Sequence, residues 1–436
     1  MADDVQRSQA SVSSFGKYLT ILIVLALVVR ITAMLLLQSW EFKNEWDYGH
    51  EMTLIAKWLV AGHGFTLNGS EPTLKFPPLY PVWVSGIFAV FGSYTEASSI
   101  VILLFQSLFA VGTTVCLVVV GSRLFNRTAG LVAGFIWALY PTSIYYSIMH
   151  IWFCELSILL IFLLIAIAAT NKPSLSLRRV ACMGGLSGLI LLTDSTMLLY
   201  LPLLLLWVLI SHRPRSAQMV SALAIWGLTA AAVTSPWVLR NFYVTGSPRL
   251  LKSNLGLELF VGNNSFSSGE HNRAEAAKAY AALDQAELDY HRNQSEDIYF
   301  QYLKSKALEW IKSHPVEFVK LTALRVRVFW TRTTKFGLRS WLHFAYFGPF
   351  VALALCGLWY SRHRWWSFAP VWLFLLIYPL PYYLTHVSRS RYRYPVEPFV
   401  VLLAAVALTV WFERRHLHTK QEPGDDVGVR SSASMT

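Results

Sequence analysis

Apolar stretches close to the length that crosses about 30 Å of hydrocarbon recur along this chain, and that recurrence limits what it can fold into. They lie at 18–38, 98–120, 128–147, 152–170, 178–193, 196–211, 217–236, 341–361, 366–385 and 396–412. Only 14% of the residues are charged, against about 25% in a soluble domain. A chain of this length with so few charges cannot cover its surface with polar groups, so much of that surface faces lipid. A soluble enzyme, a disordered chain and a disulfide-stapled secreted module are all excluded. The reading is an all-α polytopic membrane protein with about ten transmembrane helices. Its net charge of +12 could suggest nucleic acid, but Lys and Arg in loops are how membrane proteins set their orientation, and no nucleic-acid partner is expected. Cys116, Cys154, Cys182 and Cys356 form no CxxC pair and read as small apolar fillers.

With the N-terminus inside, the short connections holding Arg123 and Arg127, Lys172, Arg178 and Arg179, Arg213 and Arg215, Arg362 and Arg364, and Arg414 and Arg415 are all cytoplasmic. The opposite hairpins near 148–151 and 194–195 carry no Lys or Arg, as the positive-inside rule requires. Segment 79–92 is too short to cross, and a crossing there would invert every later loop, so it reads as an interfacial piece on the outer face. The expected organisation is a cytoplasmic N-terminus (1–17), a transmembrane module (18–236) with outer loop 1 (39–97), an outer region (237–340), C-terminal transmembrane helices (341–413) and a cytoplasmic tail (414–436). Within the outer region, 270–313 reads as helical.

Loop 1 holds Glu45, Asp47 and Glu51, and the pattern of 47–61 predicts an amphipathic helix ended by Gly62-His63-Gly64. Spaced four apart, Asp47 and Glu51 would share a helix face. Two carboxylates held near a bilayer surface suit general-base work, and a solvated acidic face beside Lys57 is the plainer alternative. The turn Lys75-Phe76-Pro77-Pro78-Leu79-Tyr80-Pro81 follows, with Lys75 able to meet an anionic group and Tyr80 a candidate polar lining residue. Glu155 sits in an apolar run near its outer end with His150 just before it; an ionisable group there is by default a site candidate. Asp194 reads equally well as a helix cap, and Arg30 either snorkels or pairs internally. Arg240, after the seventh run, and Arg389, Arg391 and Arg393, before the last, lie on the outer side against the charge trend. Guanidinium groups there suit a phosphate. Contact with ordinary lipid headgroups is the alternative.

The chain resembles the bacterial branch of the GT-C glycosyltransferases, in the group of protein O-mannosyltransferases and aminoarabinose lipid A transferases. The resemblance is carried by IAKWLVAGHGF (55–65), KFPPLYP (75–81), SRLFNRTAGLVAGFIWALYPTSI (122–144), SPWVLRNFYVTGSP (235–248), GLELFVGNN (256–264) and RYRYPVEPF (391–399), in order over nearly the whole chain. It implies an enzyme of a bacterial inner membrane, with its active site facing the periplasm or exterior. Such an enzyme moves a sugar from a polyprenyl-phosphate donor to a lipid, glycan or protein acceptor. It works by inverting displacement, with a loop-1 acid as base and basic residues on the leaving phosphate. Carried over, the base falls on Asp47 or Glu51, with Glu51 slightly favoured, and Lys75, Arg240, Arg389, Arg391 and Arg393 become phosphate candidates. His150 and Glu155 match the second polar position near the cavity. No metal or cofactor is implied. A polymerase or ligase for lipid-linked glycans is the alternative enzyme, and a lipid or sugar transporter the alternative class. The transporter is opposed by polar groups gathered at one membrane face and by the lack of an inverted repeat.

Overall fold

In the computed structural model, residues 2–42, 47–170, 175–246, 252, 254–270, 272–331, 338–387 and 390–419 are described. Among them the architecture is all-helical, with no strand beyond isolated bridges. In chain order come α1 (Ala2–Leu37), α2 (His50–Val60), α3 (Leu79–Phe91), α4 (Glu96–Leu124), α5 (Arg127–Ala138), α6 (Pro141–Met149), α7 (Cys154–Ala168), α8 (Leu177–Leu191), α9 (Tyr200–His212) and α10 (Ser216–Thr245). Next are α11 (Leu255–Gly262), α12 (Arg273–Ala281), α13 (Gln285–Arg292), α14 (Glu296–Ser313) and α15 (Pro315–Thr331). The chain then returns to apolar helices α16 (Leu338–Tyr360), α17 (Ala369–Ile377), α18 (Leu380–Leu384) and α19 (Glu397–Thr419).

Among the described residues, five stretches are long and apolar enough to cross a membrane: Phe15–Leu37, Glu96–Leu124, Ser195–His212, Ser216–Val244 and Tyr394–Arg415. A sixth is the pair α5 and α6, bent by 50°. The bend falls where Pro141 opens α6, since proline suits a helix's first turn but cannot continue the one before it. Leu36 and Leu228 stand well exposed on these helices, which suits hydrocarbon rather than water. The protein is an integral membrane protein.

The chain departs from its sequence pattern at three places, each for a local reason. The run at 217–236 does not stop at Pro236 but continues as α10 to Thr245, as membrane helices tolerate an internal proline. The run at 366–385 divides into α17 and α18 around Pro379 and Pro381. The stretch 270–313 is three helices, because Asn272, Asp284 and Ser295 each accept a hydrogen bond from a backbone N–H in the next first turn and so restart the helix.

The core centres on α19, which packs on α16 and α5, while α4 holds α5 and α7 and α10 lies along α8. The short helix α3 packs on α2 through Met52, Ala56, Tyr80, Val84 and Phe88. The 255–331 helices are tied to α18 at one buried knot. Arg325 donates to Asn263 Oδ1 (3.1 Å) and to the carbonyls of Gly262, Tyr383 and Leu384. Asn263 Nδ2 donates to Leu384 O at 2.9 Å. Burial lowers the Arg325 pKa to about 10. The GNN sequence at 262–264 is therefore a packing device. A Cβ on Gly262 would lie 1.8 Å from Thr385 O, so this approach admits only glycine.

Gly262→Ala is expected to lower the melting temperature of the detergent-solubilised protein, at a cost of about 1–3 kcal/mol from overpacking. Gly227→Ala, on a helix face with nothing within 4 Å of the added Cβ, should be neutral or slightly stabilising. Equal melting of the two variants would contradict the knot.

Candidate functional site

The site begins with how loop 1 is seated. Asp47, Tyr48 and Gly49 form a turn, and α2 starts only at His50. Gly49 has φ +75°, and a Cβ there would lie 2.3 Å from Ile151 O. Ile151 N donates to Asp47 O at 2.8 Å. The turn thus lies backbone to backbone on the segment after α6. This corrects the expectation of one helix over 47–61 with both carboxylates on a shared face: the left-handed glycine ends the helical register, and Asp47 stands outside it. The two acids consequently take different partners. Asp47 Oδ1 is 3.1 Å from His150 Nδ1, and Glu51 pairs with Lys75 Nζ. Glu45 lies outside the described residues.

His150 is gripped on both ring nitrogens, with Nε2 3.0 Å from Tyr145 Oη. Burial pushes its pKa down, Asp47 opposes this and Arg391 reinforces it, so a neutral ring suits the place. A neutral His150 donates from Nδ1 to Asp47 and accepts from Tyr145. Behind it, Gln106 acts as a bracket. It donates to His150 O (2.7 Å) and accepts from the Tyr80 hydroxyl (2.7 Å) and from Trp152 N (3.0 Å). Tyr80 is therefore a buried support.

The bracketed Trp152 carries Arg391, whose guanidinium lies 4.7 Å from the Trp152 ring and 5.1 Å from that of Tyr392. Arg391 donates to the Tyr392 hydroxyl at 3.4 Å, and its buried Nε has no partner among the described residues. Arg393 takes another direction. It is buried against Glu397, with Nε at 3.0 Å and Nη2 at 2.9 Å from Oε1, over the Phe347 ring. Arg391 lies within the 3-10 turn at 390–392, whereas Arg393 falls between it and the next 3-10 turn at 394–396. Arg389 lies outside the described residues.

Lys75 and Arg240 form the second half of the site. Arg240, carried on the extended α10, donates to Thr73 O (3.0 Å) and Phe65 O (3.1 Å) and lies over the Trp237 ring. Both cations are near Glu296, a residue that no sequence signal singles out. It opens α14 and accepts from Thr73 Oγ1 (2.8 Å) and Leu74 N (2.5 Å). Burial raises its pKa, opposed by those hydrogen bonds and by Lys75 and Arg240. Glu296 thereby clips the Lys75 segment to the 273–313 helices.

Glu155 sits inside the bundle at 1% exposure, accepting from the Tyr394 hydroxyl at 2.6 Å, with Arg30 an electrostatic neighbour. Arg30 itself pairs internally, donating to Ser143 Oγ (2.6 Å) and Ala138 O (3.2 Å). Asp194 caps the following turn, accepting from Thr196 N and Oγ1. A further acid, Glu258, lies 3.3 Å from His386 Nε2 and near Arg391. Among the described residues no three or more of His, Cys, Asp and Glu gather as a metal site.

No family model and no curated protein matches the chain. Solved structures do. The archaeal oligosaccharyltransferase AglB from Archaeoglobus fulgidus, in complex with an inhibitory peptide and a dolichol-phosphate, is 15% identical with a TM-score of 0.56, over 96% of this chain and 52% of that one. Its apo form is 14% identical with a TM-score of 0.55, over 94% and 52%. ArnT from Cupriavidus metallidurans bound to undecaprenyl phosphate is 13% identical over 95% of this chain and 83% of that one, with a TM-score of 0.41. The chain spans about half the length of the archaeal structures, and at these identities the likeness is one of fold, that of the GT-C glycosyltransferases.

Two histidines, half-buried His150 and buried His386, give a pH signature. His150 and His386 are both held below the ordinary 6.5 by burial. Asp47 opposes this at His150 and Glu258 at His386, while Arg391 reinforces it at both and Arg325 at His386. As pH falls through the unfolded value, the unfolded chain takes up protons the folded one refuses, and stability is lost. Glu296, held above its ordinary 4.5, works in the other direction, so the difference between variants is the readout. Melting temperature should fall from pH 7.5 to 5.5, and less steeply in a His150→Gln/His386→Gln double variant. Parallel pH profiles would refute the assignment.

Proposed function

We propose that this protein is a membrane glycosyltransferase that moves a sugar from a polyprenyl-phosphate donor to an acceptor on the outer side of a bacterial inner membrane. The observation that carries the reading is the meeting, at one end of the bundle, of two carboxylates and a set of cations. Asp47 is held by His150, Glu51 by Lys75, and Arg391 and Arg240 flank them. The GT-C fold supports the reading, as does the dolichol-phosphate bound to the archaeal neighbour. The topology that goes with it has ten crossings, counting α5 with α6 and α17 with α18 as broken spans, and both termini cytoplasmic. Loop 1 (39–97) and the 237–340 region lie outside, followed by C-terminal crossings in 341–413 and the tail 414–436.

In the proposed reaction the donor phosphate is held by Arg391, with its unclaimed Nε, and by Lys75. Arg240 holds the Thr73 backbone beneath Lys75. When Lys75 turns to the phosphate it leaves Glu51, whose carboxylate then takes the proton from the acceptor hydroxyl. The acceptor oxygen bonds to the anomeric carbon from the face opposite the leaving group. The carbon–oxygen bond to phosphate breaks, and polyprenyl phosphate departs with the electron pair, its charge met by the cations. Configuration at the sugar inverts. Asp47, positioned by His150, is the alternative base and the nearest group to orient the acceptor. A ligase that transfers a preassembled glycan is a second reading, favoured by the oligosaccharyltransferase fold. The mass of the transferred glycan separates the two.

The test uses the full chain reconstituted in vesicles with a polyprenyl-phosphate sugar. Glu51→Gln is expected to cut transfer by about 10²–10⁴, the usual worth of a general base, while the protein still inserts and melts normally. Asp47→Asn should also lose activity. Full activity in both variants would end the base assignment. Arg391→Ala should weaken donor binding about tenfold or more, as for a buried charged hydrogen bond. Unchanged donor affinity would remove its phosphate role.

A further inference from the structure

At the end of the bundle away from Asp47 and Glu51, four helix termini surround an open pocket of about 640 Å³. Its position follows from α4. That helix touches Tyr48 through Ser98 and Ser99 at one end, and its 29 residues carry the chain roughly 43 Å to Arg123, which lines the pocket.

The pocket is basic, and among the described residues that line it there is no acid. Arg123 donates to Ala166 O. Just behind, Arg179 donates to Ile167 O at 3.0 Å and Ala168 O at 2.6 Å. Two guanidinium groups thus converge on the last turn of α7. A helix C-terminus offers only about half a negative charge, so the two cations are under-compensated, and among the described residues no carboxylate pairs with either. A third guanidinium, Arg213, lines the same space. His212 accepts from Arg179 Nη1 on Nε2 (3.0 Å), which leaves Nδ1 to donate to Val208 O at 2.9 Å. Ser211 accepts the Trp366 indole N–H at 2.9 Å, so its own hydroxyl proton is free to point at a ligand. Trp207, Trp365 and Trp366 add aromatic surface, the mixture of apolar ring and polar edge that favours the headgroup level of a bilayer.

We infer that this pocket binds the phosphate of an anionic phospholipid from the leaflet opposite the candidate active site. Arg123 and Arg213 clasp the headgroup phosphate, the Ser211 hydroxyl donates to it, and the tryptophans pack on the glycerol and the first acyl carbons. A phosphodiester supplies the charge that the α7 terminus lacks, and the opening of the pocket between helix ends leaves a path for acyl chains. This site is independent of the proposed transfer reaction and uses none of its residues.

The experiment measures lipid retention by the purified full chain, by native mass spectrometry after exchange into phosphatidylglycerol or phosphatidylcholine mixed micelles. The wild-type chain should hold phosphatidylglycerol in preference to phosphatidylcholine. Two variants leave the fold intact. Arg213→Asn suits the left-handed backbone at that position, φ +43°, and Arg123→Gln keeps a donor for Ala166 O. Each should weaken phosphatidylglycerol retention about tenfold, the scale of one charge-assisted hydrogen bond, with melting in plain detergent unchanged. Arg362→Gln, an exposed arginine at the same end that does not line the pocket, should retain the lipid as wild type does. Equal retention of both lipids, or equal losses in all three variants, would reduce the cluster to orienting charge and overturn the site. Displacement of the lipid by inorganic phosphate would make it a free-anion site and overturn the lipid assignment.

Discussion

The polar end of this protein depends on one contact, the backbone of the Asp47–Gly49 turn lying against Ile151. The hydrogen bond from Ile151 N to Asp47 O and the absence of a side chain at Gly49 bring loop 1 directly onto the turn between α6 and α7. From that seat, Asp47 meets His150 and α2 projects Glu51 toward Lys75. Gln106 then transmits the same register to Tyr80 and Trp152, and through Trp152 to Arg391. A carboxylate from loop 1, a histidine from the α6–α7 turn and an arginine from the approach to α19 are thus assembled by rigid neighbours rather than by their own flexible side chains. Placement of this kind is what a group-transfer site requires, because reacting groups lose their effect within about an ångström of misplacement.

How much of this could be read from the sequence differs by length scale. The apolar runs are visible because a membrane helix is hydrophobic for its whole length, and α1, α4, α9, α10 and α19 fall where those runs are. Where proline or a capping side chain decides the outcome, the sequence holds the signal but leaves its strength open. Pro236 does not stop α10, whereas Pro379 and Pro381 divide their run. The site is legible in residue type but not in pairing. Asp47 and Glu51 look like helix-face neighbours until the positive φ at Gly49 is known, and Arg391 and Arg393 look equivalent until two 3-10 turns separate them. Glu296 has no local signature at all, since its role arises from a contact with Leu74 across 222 residues.

Ionisable groups buried among apolar helices invite a functional reading, and this protein shows the limits of that inference. A charge at the centre of a bilayer costs roughly 2.5–3.5 kcal/mol by insertion measurements, so an unused one should be lost. Arg393 and Glu397 nonetheless pair inside the core, and Glu155 and Arg30 lie close to each other there with their own partners, Tyr394 for one and Ser143 for the other. These groups connect α1, α6, α7, α16 and the entry to α19. Pairing of this kind adds little net stability but penalises any packing that separates the partners. Functional weight therefore falls on pairs that solvent reaches, as it reaches Lys75 and Glu51.

The Lys75–Glu51 pair has a further consequence for the proposed reaction. One ammonium cannot neutralise a carboxylate and a donor phosphate in the same geometry, because its three donors sit on a single compact charge. Two unit charges about 4 Å apart at a protein surface attract by about 4 kcal/mol; the donor, a phosphodiester with one negative charge, matches a carboxylate in this, and the balance tips toward phosphate only as the departing polyprenyl phosphate gains its second charge. In the proposed reaction, bond breaking therefore draws Lys75 toward the leaving phosphate and uncovers Glu51 in the same movement. The base is freed as the leaving group takes up charge, which couples proton abstraction to departure of the polyprenyl phosphate. Glu296 makes the exchange local. By fixing Thr73 and Leu74 from the far side, it confines the motion to the Lys75 side chain, and the backbone that carries it stays in place.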